Sequence, residues 1–328
     1  MIPKAGVLLA LLWALSTSAG WAQRRINTRF VPYSSVSLGV GTSAYYGELA
    51  GYRQFIKATY ILPRWNVALG YTRQFTPHFA ARATFTWARI VGDDYTFNKN
   101  NIQKNLYLYA RNLHFRNDIK EFAITGMYNF VAEGRNSNYR PKWSPYIFGG
   151  IALVAHSPEA RTPFSENADS SRRWVKLQPL HTEGQGQPGY SKPYSLVTAA
   201  IPVGFGVKYR LNDNFTVGAE IGFRYTFTNY LDDVGGNYAA PNVLQGLAAE
   251  MADRRQEVTA ARVKNSTDRY QKLVDLYRSN PDLQASIADA LQTSPIRGGG
   301  RMLNDGYLLT NFSIQYIIPG RIKCPPIK

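Results

Sequence analysis

Apolar and polar side chains alternate with a period of two through most of this 328-residue chain once its N-terminal segment is passed. The clearest stretch is 215–228. Phe215, Val217, Ala219, Ile221, Phe223, Tyr225 and Phe227 fall on one face, and Thr216, Gly218, Glu220, Gly222, Arg224, Thr226 and Thr228 on the other. That spacing separates the two sets in an extended strand, whereas a helix would scatter both around its circumference. The preceding segment repeats the arrangement, with Ile201, Val203, Phe205, Val207, Tyr209 and Leu211 set against Gly204, Gly206, Lys208 and Arg210. Asn212-Asp213-Asn214 between them suits a tight hairpin. Six further strands are predicted at 34–46, 65–75, 79–91, 120–132, 145–155 and 307–318. In the segment 120–132, Phe122, Ile124, Tyr128 and Phe130 oppose Glu121, Thr125, Asn129 and, just past it, Glu133; in the last, Phe312, Ile314, Tyr316 and Ile318 oppose Asn311, Ser313 and Gln315. The segment 145–155 is apolar on both faces.

These predicted strands are about twice the length usual in soluble sheets and match the roughly 9–11 residues that a tilted strand needs to cross a bilayer. Their connections sort by parity. Thr76-Pro77-His78, Asn212-Asp213-Asn214 and the segment 133–144 are short, while 47–64, 92–119, 157–198 and 229–306 are long. Short turns at one end and long loops at the other are the asymmetry of a transmembrane barrel, in which apolar side chains meet lipid and polar ones line the interior. Hydrocarbon offers no hydrogen-bond partner, so the sheet must close on itself. The predicted fold is therefore all-β: an eight-stranded antiparallel transmembrane β-barrel with long extracellular loops and a helical insertion before the last strand. Arg82, Glu121, Lys208, Glu220 and Arg224 fall in its lumen. Eight strands leave an interior that side chains nearly fill, so Arg82 or Arg224 should pair with Glu121 or Glu220 as structure, not as a transport path.

The flanking and inserted segments divide the chain further. Lys4, an apolar run from Ala5 to Leu15, and Gly20-Trp21-Ala22 read as a signal peptide over 1–22, cleaved near Ala22. The barrel then spans 23–318, and a basic tail over 319–328 carries the single cysteine, Cys324. Within the last long loop a helical insertion occupies 242–292: Leu244, Leu247, Ala248 and Met251 recur at helical spacing over 242–261, followed by Tyr270, Leu273, Val274 and Tyr277. After Asn280-Pro281-Asp282 come Leu283, Ile287 and Leu291, with Asn280 or Ser279 as the cap and Pro281 at the first helical position. Residues 242–306 hold nine basic and eight acidic side chains, a mixed-charge cap or docking element, and Gly298-Gly299-Gly300 offers a flexible return. The loop 157–198, rich in Ser, Gly, Pro and Gln, shows no period and is expected to be mobile.

Composition narrows the chemistry. The formal charge is +16. It is spread over tails, turns and predicted lumen, which favours acidic headgroups or partner surfaces over nucleic acid. One cysteine excludes an internal disulfide framework and multi-Cys metal sites. His78, His114, His156 and His181 have no ligand spacing within one element, so no metal and no cofactor is assigned, and Gly39-Val40-Gly41 lies inside a strand where no helix follows. Paired carboxylates at Asp93-Asp94 and Asp232-Asp233 could activate water if one raised the other's pKa. No Ser or Cys nucleophile stands beside an evident His.

At these loops the sequence resembles a known family. Gly92-Asp93-Asp94; then Ala110-Arg111-Asn112-Leu113-His114-Phe115-Arg116-Asn117 with Glu121; then Pro145-Tyr146-Ile147-Phe148-Gly149-Gly150; and the run from Glu220 to Tyr238 are similar to the PorG-type outer-membrane barrel of the type IX (Por) secretion system. The resemblance covers most of the chain in order. It marks Asp93, Asp94, Arg111, Asn112, Phe115, Arg116, Asn117, Asp232 and Asp233 as family-motif loop residues. It implies a non-enzymatic barrel that anchors the secretion and gliding machinery in the outer membrane of a Gram-negative bacterium. The implied partners are outer-membrane lipid, the periplasmic ring lipoprotein and its companion subunit, with no nucleic acid. The helical insertion, the loop 157–198 and the Cys324 tail exceed the family pattern, and the last strand lacks a terminal aromatic. A paralogous surface barrel, a surface enzyme such as a lipid A deacylase or protease built on the Asp93 and Asp232 region, and a passive pore stay open at this point.

Overall fold

The computed structural model describes residues 30–50, 55–163, 172–263, 268–298 and 304–318. The signal segment 1–22, the tail 319–328 with Cys324, and Gly299-Gly300 lie outside the described residues. Eight long antiparallel strands form the wall: β1 (Tyr33–Tyr46), β2 (Arg64–Gln74), β3 (Phe79–Asp93), β4 (His114–Asn129), β5 (Trp143–Ala155), β8 (Val197–Arg210), β9 (Phe215–Thr226) and β10 (Gly306–Ile318). They are ordered β3-β2-β1-β10-β9-β8-β5-β4, and β3 pairs back onto β4, so no long strand has a free edge. A short hairpin, β6 (Pro158–Arg161) and β7 (Trp174–Lys176), extends the sheet beyond the wall by pairing on the outer end of β4.

Burial follows the alternation. Phe205, Ile151 and Phe312 on the outside are 64%, 70% and 67% exposed, while Glu121 and Arg224 inside are 1% and 6% exposed. A continuous apolar exterior of this size is stable against lipid and not against water. Among the described residues no helix is long and apolar enough to cross a membrane. Crossing therefore falls to the strands. The doubly apolar β5 is explained by what lies inside: Tyr146 and Phe148 point into the lumen, and Gly204 and Gly206 on β8 leave room for their rings.

Several expectations need correction. β4 begins at His114, not Lys120, so Phe115, Arg116 and Asn117 belong to a strand and not to a loop. Its outer third faces Arg116, Asp118 and Lys120 outward and buries Phe115, Asn117 and Ile119, so its outward face is polar above the apolar belt and masks the period. The strand 215–228 stops at Thr226, and that at 120–132 stops at Asn129. The helix expected over 242–261 shrinks to α4 (Leu247–Ala252), because Asn242 (φ 72°) and Gly246 (φ 54°) take left-handed backbone that breaks a helix. Other helices are α1 (Phe55–Ile61), α2 (Asp94–Asn98), α3 (Leu106–Arg111) and α5 (Arg269–Ser279). Pro281 does open the next turn, which runs on through α6 (Gln284–Ala288), and Asn280 precedes it without a side-chain cap; the Ser279 hydroxyl instead donates to the Asp275 carbonyl at 2.7 Å. Part of the loop expected to be mobile packs against the mouth, where Thr182, Glu183 and Gln185 are buried, while most of 186–197 is exposed. Tyr95, Leu106, Tyr109, Leu273, Ile287 and Ala290 give the cap a core of its own above the barrel mouth.

Candidate functional site: the sealed lumen and the outer mouth

The lumen is closed by ion pairs that hang from facing strands. Arg82 on β3 reaches Glu220 on β9 at 2.5 and 3.2 Å, and the Tyr146 hydroxyl donates to the same carboxylate at 2.8 Å. Arg224 meets Glu121 at 3.3 Å, and Tyr307 donates to Glu121 at 2.5 Å. Nearer the short turns, Lys208 pairs with Glu133 at 3.3 Å. The five lumen residues named from sequence thus stand in one enclosed column. The voids beside these pairs are small, about 20 Å³ beside Lys208 and Glu133 and about 40 Å³ beside Arg82 and Glu220.

At the outer end the motif residues converge from separate loops. Asp94, at the start of α2, grips Arg111, the last residue of α3, through two bonds of 2.7 Å, and accepts the Leu113 amide at 3.0 Å. Arg111 also donates to the carbonyls of Arg297 (2.6 Å) and Glu48 (3.0 Å), so one guanidinium joins three loops. Asn112 takes left-handed backbone (φ 59°) to end α3, and its amide donates to the carbonyls of Arg254 (3.2 Å) and Thr259 (3.1 Å). Asp93 caps α2 by accepting the Thr96 amide at 3.3 Å and binds Arg262 at 3.0 Å. Inside β4's outer end, Asn117 donates to the Leu231 carbonyl at 2.7 Å, and Phe115 packs edge-on against Tyr45. Arg116 turns away to Glu159 (2.8 Å) and lies over the Trp174 ring. Asp233 accepts from Thr182, Tyr194 (2.7 Å) and Arg297 (3.2 Å).

Sequence reasoning missed Glu183 and Arg297, which pair at 3.0 Å and bind the loop 172–196 to the segment after β9. It also missed Glu48 and Asp305. With Asp232 these form a buried group whose ligand oxygens lie within 4.8 Å of one another. The only sequence signal was position: Glu48 lies just past the outer end of β1, and Asp305 just before β10. Three carboxylates with no nitrogen or sulfur are the donor set of a hard cation such as Ca²⁺. They equally suit a retained proton. The Tyr45 hydroxyl lies 2.6 Å from Asp232 and 2.8 Å from Asp305 and has one hydrogen to give, so it can donate to one while the other, protonated, donates to it.

Burial, and then the charge of Glu48, push Asp232 well above the usual carboxylate range; burial, then Asp232 and Glu48, do the same to Asp305. The folded cap therefore holds protons that the unfolded loops release above about pH 4. By linkage its stability falls as pH rises from there through the raised values. Hydrogen exchange across 227–236, corrected for intrinsic rate, should be slower at pH 5 than at pH 8. Equal protection at both would contradict the assignment.

The other acids and the histidines of the mouth and turns have partners of their own. Asp94 and Asp233 are occupied by arginines and hydroxyls. His114 accepts the Arg161 amide through Nε2 at 3.0 Å, His78 donates to the Asn129 carbonyl at 2.8 Å, and His156 stacks on Tyr194 with burial pushing it down to about 4.

A closed eight-strand barrel with an apolar belt, a filled polar lumen and long loops at one end is an outer-membrane β-barrel protein. The chain belongs to the family described as "Domain of unknown function (DUF6089)", whose model matches residues 27–172 and 189–248, more than half of its length. No curated protein matches the sequence. Among solved structures, the attachment invasion locus protein Ail of Yersinia pestis is similar over 88% of this chain and 100% of its own, with 8% identity and a TM-score of 0.34. Neisserial surface protein A is similar over 86% and 96%, with 7% identity and a TM-score of 0.36. A major outer membrane protein of Thermus thermophilus is similar over 88% and 99%, with 10% identity and a TM-score of 0.35.

Proposed function

We propose that this barrel is a non-enzymatic anchor of the type IX secretion and gliding machinery, holding the periplasmic ring lipoprotein and its companion subunit to the outer membrane. The observation that carries the reading is the obstructed lumen under a packed cap: a column of ion pairs flanked by small voids leaves little room for a solute. The motif carboxylates support it too, because they knit loops together instead of facing an open cleft. The short-turn end, which faces the periplasm in this orientation, exposes Arg135, Lys142 and Tyr139, a surface suited to an acidic partner. The resemblance of the run from Glu220 to Tyr238 to the PorG type points to which partner.

Affinity purification from native outer membranes should recover the ring lipoprotein and its companion, and a clean deletion should stop secretion of type IX cargo. Planar bilayers containing the purified barrel should stay almost silent. Normal secretion in a deletion strain with no second copy would remove the assignment; steady conductance would install the pore in its place.

A further inference from the structure

The charges on the outside of the barrel are sorted by sector as well as by height. The outward positions of β5, β8, β9, β10 and β1 carry no Lys, Arg, Asp or Glu. Those of β3 and β4 carry Arg89, Arg116, Asp118 and Lys120 just above the apolar belt. The boundary is sharp: register places Trp87 opposite Lys120 and Arg89 opposite Asp118, while Phe85 and Phe122 lie directly below. Trp65 and Trp87 meet edge to face at 5.0 Å, both exposed, and the Arg89 guanidinium lies over the Trp65 ring at 5.6 Å. Exposed tryptophans at this height mark the membrane interface.

Two more cations join this patch. Arg64, the first residue of β2, and Arg262 from the cap are within electrostatic reach of each other, and Arg64 is also within reach of Arg89. The anions present are fewer. Arg89 pairs with Asp118 at 2.6 and 2.8 Å, and Arg262 with the buried Asp93 at 3.0 Å. The Arg64 guanidinium donates to the Pro63 carbonyl at 2.8 Å, and Lys120 is exposed. Arg116 pairs with Glu159 at 2.8 Å, so among the described residues five cations face three carboxylates, an excess of two positive charges.

We propose that this patch binds the phosphate of an anionic glycolipid in the outer leaflet. Long loops place this end of the barrel outside the cell, so the lipid that meets Trp65 and Trp87 is an outer-leaflet lipid. Its acyl chains lie along Phe85 and Phe122, its sugar packs on the indole rings, and its phosphate sits between Arg64, Arg89 and Lys120. Arginine supplies paired N–H donors for phosphate oxygens, and lysine adds a mobile point charge at the rim. The lipid thereby fixes the barrel's depth and rotation with respect to the leaflet. This inference does not depend on the secretion role.

The test uses the full mature chain in phosphatidylcholine nanodiscs, with binding read by native mass spectrometry and by Trp fluorescence. The ligands are bis-phosphorylated lipid A, the same lipid A stripped of phosphate, and inorganic phosphate. Bis-phosphorylated lipid A should be retained, and the Arg89→Gln/Lys120→Gln variant should bind it about 25-fold more weakly, roughly fivefold per interfacial charge. Asp118→Asn keeps every cation and frees Arg89 from its carboxylate, so it should tighten binding; it also serves if the double variant folds poorly. Equal retention of phosphate-free lipid A would reduce the patch to apolar contact and overturn the proposal. Displacement by millimolar inorganic phosphate would make it a free-phosphate site and overturn the lipid assignment. Unchanged binding in both variants would do the same.

Discussion

Arg111→Gln should release the outer cap from a barrel that stays folded. Arg111 is almost fully buried, pairs with an equally buried Asp94 through two bonds of 2.7 Å, and donates to carbonyls of the loops after β1 and before β10. Removing one partner of such a pair leaves an uncompensated charge out of water and costs about 3–5 kcal/mol. The loss falls on the cap, because the barrel's closure rests on strand pairing from β1 to β10 that Arg111 does not touch. Limited proteolysis should therefore open 242–298 while the heat-modifiable barrel band on gels persists. Adding Asp94→Asn removes the stranded charge and should restore part of the protection. Undiminished protease resistance in Arg111→Gln would show that the cap is held by its own apolar core instead.

How much of this was visible in the chain divides along a physical line. The wall was legible because lipid and lumen impose opposite demands on successive residues, and a period of two survives through β8, β9 and the part of β10 from Phe312 onward. Legibility failed where that demand stopped. The outer third of β4 rises above the belt, so its outward side chains are Arg116, Asp118 and Lys120 and its pattern inverts. In the cap, helix ends were misplaced because Asn242 and Gly246 interrupt an apolar spacing that looks continuous on paper.

The site shows the same division. Acidic pairs and arginines in the motif runs could be marked as belonging to the mouth, since loops at one end of a barrel must meet. Which acid would meet which arginine could not, because Arg111 and Asp94 are joined through the fold and Arg297 reaches Asp233 and Glu183 from far along the chain. Contacts of that range depend on how long loops settle over the mouth, and no local spacing records it. The lumen was easier: facing strands hold their inward residues at fixed heights, so the choice of partners for Arg82 and Arg224 was small.

That column yields the second large effect. Arg82→Met should destabilise the whole barrel by about 3–5 kcal/mol, because the enclosed Glu220 carboxylate would lose its paired cation and keep Tyr146 as its protein hydrogen-bond donor. Chemical unfolding from lipid vesicles, followed by Trp fluorescence, should show the loss as an earlier midpoint with an unchanged slope. The Arg82→Met/Glu220→Gln double variant carries no stranded charge and should recover most of it, a coupling expected of residues in direct contact. Neither variant should conduct, since Arg224, Glu121 and Tyr307 still obstruct the bore. Those two readings separate the roles cleanly. A structural pair costs stability and leaves conductance at zero, whereas a gate would open without unfolding; an Arg82→Met barrel that stayed stable and began to pass ions would mean that the column is a closed channel.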